Sequence, residues 1–136
     1  MAAEYLLDSN IIIAALNSSS RPLLNRLAGM VPQRLHLSSI VLAELLTGVA
    51  KSGPGAAARH ATLNELVGGL TLAPFDNRSA EVYARVRAKM ELKGQVIGPL
   101  DLLIAAQALS SGLVLVTDNL REFRRVPDLV CENWLR

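Results

Sequence analysis

Apolar positions along this chain fall into two alternating rhythms. Short β-like runs at Glu4 to Leu7, Leu35-His36-Leu37, Leu70 to Ala73 and Leu113 to Val116 predict strands. Longer stretches with apolar residues three and four apart predict helices between them. The first helix follows directly to about Leu16, and Asn17 to Ser20 forms a turn. A short helix is expected over Pro22 to Ala28. Ser38 or Ser39 caps a helix to about Ala50, which Ser52-Gly53-Pro54-Gly55 breaks. Ala56 to Val67 forms the next helix, with Leu63, Leu66, Val67 and Leu70 at helical spacing and Gly68-Gly69 as its stop. Asp76 or Asn77 caps a helix to Lys93 that Gly94 ends. Pro99 suits the first turn of a helix to Ser111 before Gly112. A short helix over Leu120 to Arg124 and an edge strand over Leu129 to Cys131 complete the pattern.

Strands separated by helices imply an α/β fold with a parallel, twisted sheet of four to five strands and helices on both faces. The 136 residues make one domain with a real core, since 51% are apolar and only 4% aromatic. No apolar stretch reaches the ~18 residues of a membrane span, and Met1 to Glu4 lacks a basic leader. The single cysteine, Cys131, excludes an internal disulfide and suits a reducing cytoplasm.

Four acids interrupt this apolar pattern. Asp8 ends Tyr5-Leu6-Leu7, Glu44 lies inside Ile40 to Leu46, Asp101 opens Leu102 to Ala106, and Glu122 follows the run ending at Val116 by a few residues. Unpaired buried carboxylates are costly, and a divalent cation is a common shared partner for several of them. The predicted elements put all four near strand C-termini or helix N-termini, the edge where parallel sheets bind ligands. Hard Mg²⁺ and Mn²⁺ prefer such oxygen donors, activate water and stabilise charge on phosphate. Each acid also has a plainer structural role open to it. Asp8 suits a helix N-cap, Glu44 an amphipathic face, Asp101 a dipole-favoured first turn, Glu122 a polar surface, and Asp118 a cap or turn.

Taken together, Leu6-Leu7-Asp8-Ser9-Asn10, Ser38 to Leu45, Ile97 to Ala105 and Val116-Thr117-Asp118-Asn119-Leu120-Arg121-Glu122-Phe123 resemble the PIN-domain ribonucleases. The resemblance is narrower to VapC, the toxin of VapBC toxin–antitoxin pairs, and spans nearly the whole chain. It implies one PIN domain over residues 1–136. It implies that Asp8, Glu44 and Asp101 are metal-binding acids for Mg²⁺ or Mn²⁺, with Glu122 as a fourth catalytic acid. Ser9, Asn10, Thr117, Asp118 and Asn119 would support them. Ser9 stands where Thr is usual, and Asp118 where a polar non-acid is commonest. The implied activity is metal-dependent endoribonuclease cleavage of RNA, of tRNA near the anticodon, arresting translation. The implied partners are a VapB antitoxin with its C-terminal tail in the active-site groove, a second copy in a homodimer, and operator DNA bound with the antitoxin. Two other readings remain: a non-catalytic PIN-like module that binds RNA or protein, and a phosphatase of the haloacid-dehalogenase kind. The latter needs a second acid where Asn10 stands.

Net charge is only +2, but acids gathered in one pocket leave a more basic surface. At about 100° per residue, Arg78, Arg85, Lys89 and Lys93 fall within about 80° on one helix. They form a candidate stripe for RNA phosphates, or a solvated flank whose stems cover Val82. Arg121, Arg124 and Arg125 form a second cluster. Arg87 faces either the acids or Glu91. His36 and His60 lack zinc-ligand spacing and are read as structural and exposed respectively, and Trp134 as an anchor for its segment.

Overall fold

The computed structural model describes residues 2–136. Five parallel strands form one sheet in the order β3-β2-β1-β4-β5. They are β1 (Tyr5–Leu7), β2 (Leu35–Ser38), β3 (Thr71–Ala73), β4 (Val114–Val116) and β5 (Cys131–Glu132). Between β1 and β2 lie α1 (Ser9–Leu16), α2 (Arg21–Ala28) and a 3₁₀ turn (Pro32–Arg34). Between β2 and β3 lie α3 (Ser39–Ala50) and α4 (Ala56–Val67). Then α5 (Asn77–Leu92) and α6 (Pro99–Ser111) precede β4, and α7 (Leu120–Phe123) precedes β5.

Successive strands step outward from β1 in one direction to β3, then return past it to β4. Right-handed connections therefore send α1 to α4 over one face and α5 to α7 over the other. Such burial on both faces explains why β1 is apolar at three consecutive positions, all buried. The core is aliphatic, with Leu6, Ile11, Ile104 and Leu115 fully buried. The edge strand β3 is more exposed, with Leu72 at 54%.

Local chemistry fixes the helix ends. Ser20, Ser38 and Asp76 each accept a backbone amide hydrogen at a helix start. Gly112 takes the left-handed φ of 65° that closes α6, a conformation in which Gly carries no Cβ penalty. Several element ends shift by one residue from the sequence reading, as at Tyr5, Thr71 and Val114, and two differences go further. The final strand is Cys131–Glu132 rather than Leu129 to Cys131, because Asp128 turns through φ 66° and the pairing aligns Cys131 with Leu115 and Glu132 with Val116. The 3₁₀ turn after Val31 is too short to leave a helical period.

Three further positions resolve as follows. Arg87 donates to Glu91 at 2.8 Å and to the Tyr83 hydroxyl at 3.0 Å, so it faces its own helix rather than the acids. His36 pairs with Glu4 at 2.8 Å, and His60 is exposed. Trp134 is buried, lies edge-on to Tyr5 at 4.8 Å and carries the Arg26 guanidinium over its ring.

Candidate active site

The chain reverses direction across the sheet between β1 and β4, and the crevice at their C-terminal ends is the usual ligand position in such sheets. Asp8 is the first residue after β1 and is 4% exposed. Its Oδ1 accepts the Ser9 amide hydrogen at 2.8 Å, so it caps α1. Its Oδ2 accepts the Thr117 hydroxyl at 2.8 Å and the Asn10 side-chain amide at 3.3 Å. The cap and the pocket are therefore two uses of one carboxylate. Burial raises the proton affinity of Asp8, and the bonds from Thr117, Ser9 and Asn10 oppose that shift.

Thr117 follows β4 as Asp8 follows β1. Its Oγ1 also accepts the Asn119 amide hydrogen at 3.0 Å, and Asn10 Nδ2 lies 3.4 Å away. Asn10 Oδ1 in turn accepts the Asp118 amide hydrogen at 3.0 Å. The two loops that leave the central strands are thus tied through side chains.

Asp101 lies in the first turn of α6 and Glu122 in the short α7. Glu122 Oε1 accepts the Gly98 amide hydrogen at 3.0 Å, and Oε2 accepts the Asn119 side-chain amide at 2.8 Å. A Cβ on Gly98 would stand 3.7 Å from Asp101 Oδ2 and 3.9 Å from Glu122 Oε1, so both carboxylates border one backbone position. When protonated, Asp101 can donate to Glu122.

Burial, the negative charges of Asp8 and Glu122, the bond to Glu122 and the charge of Glu44 together push the Asp101 carboxyl up to about 6. The bonds from Gly98 and Asn119 hold Glu122 below its usual range. Glu44, half-buried in the second turn of α3, is raised by burial and by the charge of Asp8. All four acids thus share one electrostatic neighbourhood. None of them belongs to an ion pair among the described residues.

Asp118 stands apart from this set. Its side chain is exposed, and its Oδ1 accepts from Asn133 Nδ2 at 2.9 Å. It contributes its backbone to the site and its carboxylate to the segment after β5. Arg78, Arg85, Lys89, Lys93, Arg121 and Arg124 are all exposed. Ser9 and Glu44 also border a cavity of about 590 Å³ between α1, α3 and α4.

Among the described residues, no three His, Cys, Asp or Glu side chains stand close enough to grip one ion together. The donor set still suits Mg²⁺ or Mn²⁺. It is entirely oxygen, and Mg²⁺ typically takes one or two carboxylates and completes its shell with water.

The sequence pattern of the PIN domain matches residues 5–129. The chain is 37% identical over 131 residues to "Ribonuclease VapC2" of Rickettsia felis, covering 96% of this chain and 97% of that one. It is 35% identical over 132 residues to "tRNA(fMet)-specific endonuclease VapC" of Salmonella typhimurium, covering 96% and 98%. Its fold superimposes on the DNA-bound VapBC crystal structure from Salmonella typhimurium with a TM-score of 0.91 at 33% identity, covering 98% of this chain and 99% of that chain. With the sheet order, the acids at the C-terminal ends of its central strands and these full-length likenesses in agreement, the chain belongs to the PIN-domain family, among its VapC ribonucleases.

Proposed function

We propose that the chain is an endoribonuclease that requires Mg²⁺ or Mn²⁺, with Asp8, Glu44 and Asp101 as the metal-binding acids, one or two of them direct ligands and the rest acting through metal-bound water, and Glu122 as the fourth acid. One observation carries the reading: carboxylates from four separate elements lie at the same end of the sheet, where burial first and then the charges of Asp8, Glu122 and Glu44 push the Asp101 carboxyl up to about 6, and among the described residues no Lys or Arg forms an ion pair with any of them. When bound there, the ion supplies positive charge for the phosphate and lowers the pKa of water. The chain itself supplies orientation. Ser9, Asn10 and Thr117 fix both oxygens of Asp8, while Gly98 and Asn119 fix both oxygens of Glu122. A carboxylate of the set takes the proton of the attacking water. In-line hydrolysis then leaves a 5′-phosphate and a 3′-hydroxyl.

The substrate reading is structured RNA, with tRNA favoured by the name of the Salmonella relative and a cut near the anticodon as the family resemblance implies. Cleavage there would arrest translation, the action of a toxin. The partner reading is a VapB antitoxin, supported by the VapBC complexes that share this fold. The cavity beside Glu44 has apolar walls from Ile13, Leu16, Leu45, Val49 and Leu63, which suits an antitoxin tail entering the groove. Exposed Leu92, Val96 and Leu100 around the α5–α6 connection supply an apolar face for a homodimer, and the DNA-bound relatives support assembly on operator DNA with the antitoxin. No helix among the described residues is long and apolar enough to cross a membrane, and a cytoplasmic setting is consistent with the free thiol of Cys131.

RNA cleavage is measured with Mg²⁺, with EDTA, and for Asp8→Asn and Asp101→Asn. Each change should lower the rate by ~100-fold or more, since even outer-shell changes at metal sites reach that size. Activity that survives all three overturns the metal mechanism. A non-catalytic binding module would instead show no Mn²⁺-dependent thermal shift that Asp8→Asn abolishes.

A further inference from the structure

α6 is enclosed on most sides. Leu102, Ile104, Ala105, Ala106 and Ala108 are all fully buried. An amphipathic helix selects its rotation by turning one apolar stripe inward. A helix buried all round lacks that selection, and small alanine side chains key poorly into their neighbours.

One polar side chain interrupts this surface. Gln107 is 2% exposed. Its Nε2 donates to the Ala73 carbonyl at 2.9 Å, and its Oε1 accepts the Ser38 hydroxyl. Ser38 and Ala73 are register partners at the ends of β2 and β3. The Ser38 hydroxyl also accepts the Ile40 amide hydrogen at 3.0 Å and so caps the helix that carries Glu44. A single carboxamide therefore joins the helix of Asp101, the helix of Glu44 and the tip of the edge strand.

We propose that Gln107 is a positioning residue of the active site, setting the rotation and axial position of α6 and hence the separation of Asp101 from Glu44 and Asp8. A buried amide that loses its partners is costly, so rotated or shifted settings of α6 are penalised where the apolar contacts alone would tolerate them. A slip of one residue moves Asp101 by about 1.5 Å along the helix and about 100° around it. The functional consequence rests on the reading of these acids as an ion-binding set.

The test uses Gln107→Met, which keeps length and apolar volume and removes both bonds. Mn²⁺ binding is measured by electron paramagnetic resonance far below the melting temperature. Affinity should fall by about tenfold or more, the range for residues that orient metal ligands. Ser38→Ala, a smaller change that still tests the bond if Gln107→Met fails to fold, should give a partial loss. The double variant should bind no more weakly than Gln107→Met. In EDTA, spin labels at Thr47→Cys and Ser111→Cys in a Cys131→Ser background report the α3–α6 separation, which should broaden in Gln107→Met or, failing that, in Ser38→Ala. Lower melting temperatures with wild-type Mn²⁺ affinity and an unbroadened separation overturn the proposal. A broadened separation in a protein whose wild type binds no Mn²⁺ sustains the positioning and sinks the ion-binding reading.

Discussion

Thr117 donates its hydroxyl to Asp8 Oδ2 across 109 positions of sequence, at 2.8 Å and out of contact with water. Thr117 Oγ1 itself accepts the Asn119 amide hydrogen. One hydroxyl thus orients the acid after β1 and shapes the loop after β4 that delivers Glu122. Thr117→Val keeps the shape and removes the hydroxyl. Loss of a hydrogen bond to a charged group is worth about 1.5–3 kcal/mol. Urea denaturation should show a loss of that size, and RNA cleavage should fall ~10–100-fold, whereas Thr117→Ser should retain both.

The raised Asp101 carboxyl gives stability a definite pH dependence without metal. Its folded value is about 6 against an ordinary 3.8, so the folded state binds the extra proton within that interval. The contribution is fully present below pH 3.8 and is lost as pH rises through about 6. Asp8 and Glu44 shift in the same direction, and Glu122 in the opposite one. In EDTA above pH 6, Asp101→Asn should therefore melt higher than wild type, with the advantage vanishing near pH 4. Added Mn²⁺ should reverse the order by stabilising wild type alone. Thermal melts across pH check both statements, and equal melting temperatures at pH 7 in EDTA would contradict the first.

The strands and the principal acids were legible because both disturb simple patterns. Unbroken apolar runs mark strands covered on both faces, as at Tyr5-Leu6-Leu7, and Asp8, Glu44 and Asp101 interrupt such runs. The ties between them were not legible. Thr117 and Asp8 meet only because β1 and β4 are neighbours in the sheet. Gln107 left one faint signal, a lone amide within Ile104-Ala105-Ala106-Gln107-Ala108, whose partners lie on two other strands. Asp118 reads as another site acid because it sits between Thr117 and Asn119. Only the pairing of β4 with β5 brings Asn133 to its carboxylate.

Asp118 and Glu122 should consequently respond in opposite ways to the same chemical change. Asp118→Asn retains an oxygen to accept from Asn133, and the Asp118 backbone still donates to Asn10, so cleavage should stay close to wild type. Glu122 uses both oxygens as acceptors, from Gly98 and Asn119. The amide of Glu122→Gln has one acceptor and presents N–H donors where the other stood, leaving one donor unmatched. Cleavage should fall ~10–100-fold. Single-turnover rates on one RNA substrate separate the two, and a deep loss for Asp118→Asn would place its carboxylate in the chemistry.

The α5 stripe makes the last distinction, between cations available to phosphate and a cation already engaged. Arg85 and Lys89 are exposed and belong to no ion pair among the described residues, while Arg87 on the same helix is held by Glu91 and Tyr83. Each phosphate contact on a single strand contributes a slope of about −0.7 to log affinity against log salt. If both residues contact RNA, Arg85→Ala with Lys89→Ala should make that slope shallower by about 1.4 while the melting temperature holds. Arg87→Ala should leave the slope unchanged. RNA binding by the inactive Asp8→Asn protein, titrated across salt concentrations in the presence of Mg²⁺, measures the slope without cleavage. An unchanged slope in the double variant would make the stripe a solvated flank.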